Sequence, residues 1–367
     1  MSETPGTHEP IDAADPAGAE HRAGLVPVRP ARRKRRARRI VLVSLTSVLT
    51  VVGAVLLGGL LAVNHLENNV HRIPNAFAGL DAANQPVMPP ATKGSMTILL
   101  TGSKTAPAHR GGSGIDGAST GPEYDSGLIA LVHINANGRA AAIVEIPPNT
   151  LVQVPGHGRM EIDRALGIDG PALLIRTVEQ LTDVRIDHYS VVDFNGLTST
   201  LGPLHGVSVD IPDRSTVNGV KFHAGMNHLN SSKALDYVRD AALTEDQRVL
   251  RQESLLRAIL DKIAQEHLLN SPESGFKILN AFTKALSVDS NFTNSDLRSL
   301  ALHLHLLGAG SGTFVTAPIQ RTRTFHGRSA VTLNPVVSGQ LWQAIRNDAV
   351  AAFAQKFPET VTPGAPK

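Results

Sequence analysis

The residues best suited to chemistry lie on one face of a helix predicted over 244–266. At about 100° of rotation per residue, one stripe of this helix starts cationic and ends apolar. The stripe consists of Arg248, Arg251, Gln252, Leu255 and Ile259. A helix N-terminus favours anions, and arginines bind carboxylate or phosphate with charge-assisted hydrogen bonds. The stripe therefore predicts a site for a phosphate or a carboxylate.

A structural role is the alternative for the same arginines. Asp236, Asp240 and Asp246 are close in sequence and could accept ion pairs from them. Charged groups that become buried are usually paired with an opposite charge. On spacing alone, ion pairing is favoured over ligand binding, and both interpretations stay open.

Alternating strands and helices must position this stripe. Apolar runs between turn residues predict strands over 96–102, 127–136, 140–147, 187–194, 206–212 and 313–319. Helical spacing predicts further helices over 171–183, 231–239, 275–287, 295–307 and 334–353. The pattern predicts an α/β sandwich of the α/β/α type with a mixed central sheet.

The domain organisation follows from composition. We expect a disordered basic tail over 1–39, a membrane anchor over 40–63, a stalk over 64–95, the folded domain over 96–355 and a disordered end over 356–367. The anchor segment holds 24 residues without Asp, Glu, Lys or Arg, which exceeds the ~20 needed to cross a bilayer. A cleaved signal peptide is the alternative, but its apolar region is usually ~7–15 residues long.

Charge and cysteine content exclude several classes of function. The net charge of the chain is +3, but the excess of basic residues lies in the tail over 1–39. Residues 40–367 therefore lack the positive net charge that is typical of a nucleic-acid-binding protein. The sequence contains no cysteine. Disulfides, thiol nucleophiles and cysteine-based zinc sites are therefore excluded.

Two consecutive segments resemble the LytR-CpsA-Psr family. GMNHLNSSKALDYVRD and then TEDQRVLRQESLLRAIL follow the family order G-x-x-x-L-x-x-x-x-A-L-x-Y-x-R and D-x-x-R-x-x-R-Q. Glu245 stands at the first position of the second motif. Upstream, TILLTGSKT, YDSGLIALVHIN and AAIVEIPPNT resemble the family in order and spacing, so the resemblance covers roughly 96–350.

The resemblance implies a function and a set of partners. Members of this family are phosphotransferases that take a glycopolymer from a polyprenyl-pyrophosphate carrier and join it to peptidoglycan, with magnesium at the pyrophosphate. The implied fold is an α/β sandwich with an apolar pocket for the lipid tail. The implied partners are the carrier-linked polymer, peptidoglycan and the membrane.

The resemblance also implies site residues by position. Asp125 matches an aspartate of the family and would act in catalysis or bind magnesium. Arg239, Arg248, Arg251 and Gln252 match the helical signature and would bind phosphate, with Arg251 also placed in catalysis. Because a pyrophosphate is held by cations, Lys104 at the end of the first strand joins this set.

Departures from the family pattern fall on the site. They are Lys104 for an aspartate, Glu123 for an arginine, Pro148 and Asn149 for an arginine and an aspartate, Glu161 for a lysine and Ala241 for an arginine. Acids in a desolvated phosphate pocket repel the ligand, and loss of aspartates weakens a magnesium site.

Two interpretations follow from these departures. In the first, the ammonium of Lys104 replaces part of the metal charge. Other arginines, such as Arg110, Arg159 or Arg164, then supply the positive charge that binds the phosphate. In the second, the fold and the lipid pocket persist without catalysis, as a module that binds polyprenyl phosphate or wall polymer.

The first testable prediction concerns topology. The arginine-rich residues before Ile40 should stay in the cytoplasm by the positive-inside rule, which places the C-terminal domain outside. Protease added to wall-stripped intact cells should digest that domain. A protected C-terminus, or a mature chain that starts after Val63, would contradict this topology.

Overall fold

The computed structural model describes residues 69–81, 83, 85–103, 128–240, 243, 245–265, 272–303 and 312–361. The predicted tail and the predicted anchor over 40–63 lie outside these ranges. Within these ranges, each helix is too short or too polar for a bilayer-spanning segment.

A mixed sheet of seven strands forms the centre of the described residues, in the order β1-β12-β7-β2-β3-β4-β13. These strands are β1 (His71–Ile73), β2 (Met96–Ser103), β3 (Ile129–Ile134), β4 (Ala141–Glu145), β7 (His188–Asp193), β12 (Leu286–Asp289) and β13 (Gly312–Thr316). The predicted α/β architecture with a mixed central sheet is confirmed.

Strand direction brings four strand ends to one edge of the sheet. β2 is parallel to β7, and β4 is parallel to β13. β3 is antiparallel to both β2 and β4, so β2 and β4 share a direction. We call the resulting edge the carboxyl edge, and it is defined by Ser103, Glu145, Asp193 and Thr316.

Helices cover both faces of the sheet. They are α1 (Asp163–Thr182), α2 (Phe194–Leu197), α3 (Ser231–Arg239), α4 (Glu245–Gln265), α5 (Pro272–Lys284), α6 (Asn294–His303), α7 (Pro335–Arg346) and α8 (Val350–Lys356). The side chain of Asn230 accepts a 3.0 Å hydrogen bond from the Lys233 amide and caps α3. Asn334 caps α7 in the same way.

Alternate residues of each strand enter two different cores. Leu99 packs in the core beside α1, α7 and α8, whereas Leu100 packs in the core beside α3, α4 and α5. Successive strand side chains point to opposite faces, so this division follows from the period of two. Burial of both faces explains why apolar residues occur at consecutive positions of these strands.

Four short antiparallel pairs surround the sheet. They are β5 (Leu151–Val154) with β6 (Gly158–Glu161), β8 (Val207–Ile211) with β11 (Gly225–Leu229), β9 (Ser215–Val217) with β10 (Val220–Phe222), and β14 (Ile319–Phe325) with β15 (Arg328–Leu333). The sequence pattern predicted only β8 among these strands. The other strands are three to seven residues long, and such short segments carry a weak apolar period.

Several predicted boundaries differ from the structure. The helix predicted over 275–287 ends at Lys284, and the following Leu286–Asp289 is a buried strand. The helix predicted over 334–353 breaks at Asp348, whose φ is 55°, and continues as α8. The predicted stalk over 64–95 contributes the edge strand β1.

A buried histidine ties the break between α7 and α8 to the sheet. The Nε2 atom of His133 on β3 donates to Oδ1 of Asp348 at 2.8 Å, and its Nδ1 atom lies 2.9 Å from the Thr97 hydroxyl. The other carboxylate oxygen of Asp348 accepts from the Ala136 amide at 2.7 Å. His133 is only 2% exposed, so its lost hydrogen bonds could not be replaced by water.

The second prediction tests this connection. Asp348→Ala should lower the free energy of unfolding by roughly 3 kcal/mol, because two donors lose their acceptor and alanine disfavours a positive φ. Asp348→Asn should cost much less, since asparagine accepts at this position and tolerates the left-handed region. Urea unfolding of both variants measures the difference, and equal losses would contradict the assigned role.

Candidate functional site

Polar residues gather at the carboxyl edge of the sheet. Ser103 at the end of β2 pairs in register with Asp193 at the end of β7. At the other side of the edge, the Thr316 hydroxyl of β13 donates to Glu145 Oε2 of β4 at 3.1 Å. In α/β folds, ligands bind outside the carboxyl ends of parallel strands. The carboxyl edge is therefore the candidate site.

The loop over 147–150 follows β4 at this edge and is tightly held. The amide of Thr150 donates to the Pro147 carbonyl at 2.9 Å, and its hydroxyl donates to the same oxygen at 2.6 Å. The amide of Asp163 donates to the Pro148 carbonyl at 3.1 Å. Pro148 and Asn149 occupy the positions where the family carries arginine and aspartate, so this rigid loop contributes no charge.

Two buried acids lie beside the loop. Glu161 is 6% exposed and Asp163 is 7% exposed. Glu161 Oε1 has no hydrogen-bond partner among the described residues. A buried carboxylate is unfavourable for a neighbouring phosphate because their charges repel. Glu161 stands where the family carries a lysine. The charge at this position is therefore reversed, in addition to the change in side-chain shape.

Arg251 of α4 is held by contacts within the fold. Its Nη1 atom lies 3.2 Å from Asp240 Oδ2 and donates to the Tyr237 carbonyl at 3.1 Å. Its Nη2 atom is 3.5 Å from the Ser215 hydroxyl. The guanidinium carbon also lies 4.8 Å above the Tyr237 ring. Arg251 thus places a cation at the C-terminal end of α3, where the helix dipole favours it.

The phenol of Tyr237 completes this cluster. Burial raises its pKa, and the nearby Arg251 guanidinium opposes that shift without cancelling it. The phenol therefore stays neutral at physiological pH. A neutral ring with a cation against its face is the geometry of a cation–π contact.

The structure brings together only part of the predicted set. Gln252 follows Arg251 on α4 and is 4% exposed. Arg239 is exposed at the last position of α3. Arg248 lies on α4 one turn before Arg251, and the structure describes its backbone but not its side chain. Lys104 and Asp125 lie outside the described residues, and their predicted roles stay predictions.

An apolar channel lies between the sheet and α4. Its two parts share Leu100, Ile143 and Leu256. The first part is lined by Leu100, Leu128, Ala130, Ile143, Glu145, Leu256, Arg257, Phe314 and Val315. The second is lined by Ile98, Leu100, Val132, Ile143, Ser190, Val192, Leu256, Leu260, Phe282 and Leu286.

The channel has one polar end, at the carboxyl edge. Glu145 lines it there, and the guanidinium carbon of Arg257 lies 4.7 Å above the Phe314 ring. Leu260, one turn further along α4, lines the deeper part. The N-terminal turns of α4, with Arg251, therefore lie towards the carboxyl edge. Sequence analysis missed Arg257, although a lone arginine in the apolar run LLRAIL was the available signal.

The described residues do not by themselves form a metal site. No group of three or more His, Asp or Glu side chains among them is placed to hold a metal ion. At the family's aspartate position the loop offers Asn149, an amide without charge. Magnesium prefers several hard oxygen ligands, so the described donor set does not fit it. A magnesium site involving Asp125 remains a prediction.

The fold and the site define an α/β sandwich protein with apolar space between the sheet and α4 and with polar residues at the carboxyl edge of the sheet. Comparison with known proteins agrees with this class. The LytR_cpsA_psr family model matches residues 63–342. The chain therefore belongs to the LytR_cpsA_psr family.

Two relatives carry names that refer to the cell wall. The cell wall biosynthesis protein LcpA of Corynebacterium glutamicum is 24% identical over 283 residues, which cover 66% of this chain and 54% of LcpA. The polyisoprenyl-teichoic acid–peptidoglycan teichoic acid transferase TagT of Bacillus subtilis is 28% identical over 179 residues, 46% of this chain and 53% of TagT. The chain thus spans about half the length of these relatives.

Solved structures of relatives share the fold. The crystal structure of B. subtilis TagT has a TM-score of 0.52 and 21% identity, and the match covers 76% of this chain and 99% of that chain. TagT with bound octaprenyl pyrophosphate lipid has a TM-score of 0.50 and 22% identity, over 72% of this chain and 96% of that chain. At this identity the likeness establishes the fold.

The third prediction concerns the ion pair of Arg251. Arg251→Ala should lower the free energy of unfolding by roughly 2–3 kcal/mol, because the buried carboxylate of Asp240 loses the cation that lies 3.2 Å from it. Adding Asp240→Asn should recover part of that loss, since the buried charge is then removed. A double-mutant cycle from urea unfolding measures the coupling.

Arg214→Ala is the matched control, because Arg214 is an exposed arginine next to Ser215. It should change the unfolding free energy by less than about 0.5 kcal/mol. Additive effects of the Arg251 and Asp240 substitutions would refute the assigned pair.

Proposed function

We propose that this protein acts in cell-wall assembly as a phosphotransferase for carrier-linked glycopolymers. The polyprenyl chain occupies the channel between the sheet and α4, and its pyrophosphate lies at the carboxyl edge. The polymer is transferred to a hydroxyl of peptidoglycan. We further propose that residues 40–63 anchor the chain in the cell membrane with residues 64–367 on the outer side.

The apolar channel is the observation that carries this proposal. Its walls are almost entirely aliphatic and aromatic side chains, with Glu145 and Arg257 at one end. Burial of hydrocarbon contributes about 0.8 kcal/mol per CH2 group, so a long prenyl chain is the ligand such a channel favours. The names of the relatives, which include polyisoprenyl-linked substrates, agree with this choice.

The chemistry requires positive charge at the pyrophosphate and an acceptor for one proton. The acceptor hydroxyl attacks the phosphorus attached to the polymer, a new phosphodiester forms, and polyprenyl phosphate leaves. Arg239, Arg248, Arg251 and Lys104 would stabilise the charge on the phosphate oxygens. Asp125 would accept the hydroxyl proton or orient that hydroxyl. Any bound magnesium would supply further charge stabilisation.

A second candidate, a non-catalytic module that binds polyprenyl phosphate or wall polymer, is favoured by the loop over 147–150. Its Pro148 and Asn149 supply no cation, and the buried Glu161 next to it repels phosphate. Arg251 is already neutralised by Asp240. A channel that binds lipid needs none of these charges, whereas transfer depends on them.

The fourth prediction tests the channel and separates the candidates. Leu256→Trp should fill the space where the two parts of the channel meet, and weaken binding of undecaprenyl phosphate tenfold or more, about 1.4 kcal/mol. Leu256→Met conserves volume and serves as the matched control. Binding is measured on the full chain in detergent, alongside transfer of labelled polymer to peptidoglycan.

Each outcome has a defined meaning. Lipid binding and transfer that are both lost in Leu256→Trp support the phosphotransferase. Channel-dependent binding without transfer by the wild type supports the binding module. Equal lipid affinity in Leu256→Trp and Leu256→Met would exclude the channel as the lipid site and overturn both candidates.

A further inference from the structure

The hairpin β14–β15 presents an arginine-rich face to solvent. The register pairs Arg321 with Thr332, Arg323 with Ala330 and Phe325 with Arg328. Directly paired residues of an antiparallel ladder point to the same side, as do residues i and i+2 of one strand. Arg321, Arg323 and Arg328 therefore share one face, and all three are exposed.

No acid of the described residues is paired with the arginines of this face. The chain contains no Asp or Glu from Leu297 to Asn347. Within the ranges that the structure describes, no ion pair involves Arg321, Arg323 or Arg328. Unlike Arg251, these guanidinium groups are therefore available to an external anion.

The hairpin is a defined scaffold for these charges. His326 and Gly327 form its two-residue turn, with φ of 47° and 77°. Positive φ at both positions is the geometry of a type I′ turn, which matches the twist of antiparallel strands. Strand geometry spaces Arg321 and Arg323 about 7 Å apart along one side. A regular row of cations fits a regular row of anions.

The hairpin also lies directly beside the candidate site. The Val331 amide donates to the Asn149 carbonyl at 3.0 Å, and the Asn149 side chain donates to the Ser329 carbonyl at 3.2 Å. Thr150 forms a parallel bridge with Val331. The hairpin is thus hydrogen-bonded to the loop over 147–150, so its arginines continue outward from the carboxyl edge.

We propose that the face formed by Arg321, Arg323 and Arg328 binds the anionic polymer that extends from the lipid carrier. The ligand chemistry is a chain with repeated phosphate or carboxylate groups. The inference rests on the proposed function, because the polymer is placed by its lipid end in the channel. It adds a substrate class to that function: a polyanionic glycopolymer rather than a neutral one.

The experiment uses the full chain in detergent with Arg321→Gln, Arg323→Gln and Arg328→Gln combined. Its probes are fluorescent poly(glycerol phosphate), polygalacturonate and neutral dextran. Loss of three cations should raise the Kd for the anionic probes about tenfold or more at low salt, and should reduce the slope of log Kd against log salt by roughly two. Dextran should not bind. The stronger of the two anionic probes identifies phosphate or carboxylate.

The matched control removes three exposed cations elsewhere, with Lys93→Gln, Arg139→Gln and Lys284→Gln. Unchanged affinity of the hairpin variant, or an equal loss in the control variant, would overturn the proposal. So would hairpin-dependent binding to phosphatidylglycerol vesicles without binding to either polymer.

Binding of undecaprenyl phosphate, measured in parallel, keeps the two proposals separable. The hairpin variant should retain wild-type lipid affinity. Hairpin-dependent polymer binding in a protein that fails to bind the lipid would support this inference and refute the proposed function. Lipid binding with no effect of the hairpin substitutions on polymer affinity would support the proposed function and refute this inference.

Discussion

The packing of α4 against the central sheet is the contact on which the rest of the structure depends. Leu255 and Ile259 of α4 are fully buried and close the core, whereas Leu256 and Leu260 line empty space. Protein interiors are normally packed as densely as organic crystals, so unfilled space between the sheet and α4 lowers stability. The same helix therefore stabilises the fold along one stripe and gives up packing along the adjacent one.

Charge placement at the start of α4 follows from this arrangement. Once α4 lies on the sheet, the end of α3 and Asp240 come within reach of Arg251. A buried carboxylate needs a cation, so the folded state commits Arg251 to Asp240 before any ligand arrives. Among the described residues, the hairpin β14–β15 supplies further exposed cations for an external anion.

The sequence predicted the sheet strands better than their surroundings, for physical reasons. Strands such as Ile129–Ile134 are buried on both faces, and apart from His133 their residues are apolar. The predicted helix over 275–287 included Leu286 and Ser287, the first two residues of the strand Leu286–Asp289, because Leu286 also fits the helical period before it. Pairing with β7 decides its conformation, and local sequence does not contain that information. At the site, spacing identified the ion-pair alternative for Arg251, but the position of Arg257 at the channel depends on tertiary packing.

Neighbouring residues of one strand serve separate tasks. Leu99 faces the core beside α1, α7 and α8, and Leu100 faces the channel. Substitutions along β2 should therefore have alternating effects. Those on one face of the strand should change the stability of the fold, and those on the other face should change the binding of a ligand in the channel. Residues that face the channel can then change, and with them the ligand preference, while the core beside α1, α7 and α8 keeps the protein folded. Selection for a different ligand and selection for thermal stability would therefore act on alternate residues of the same strand.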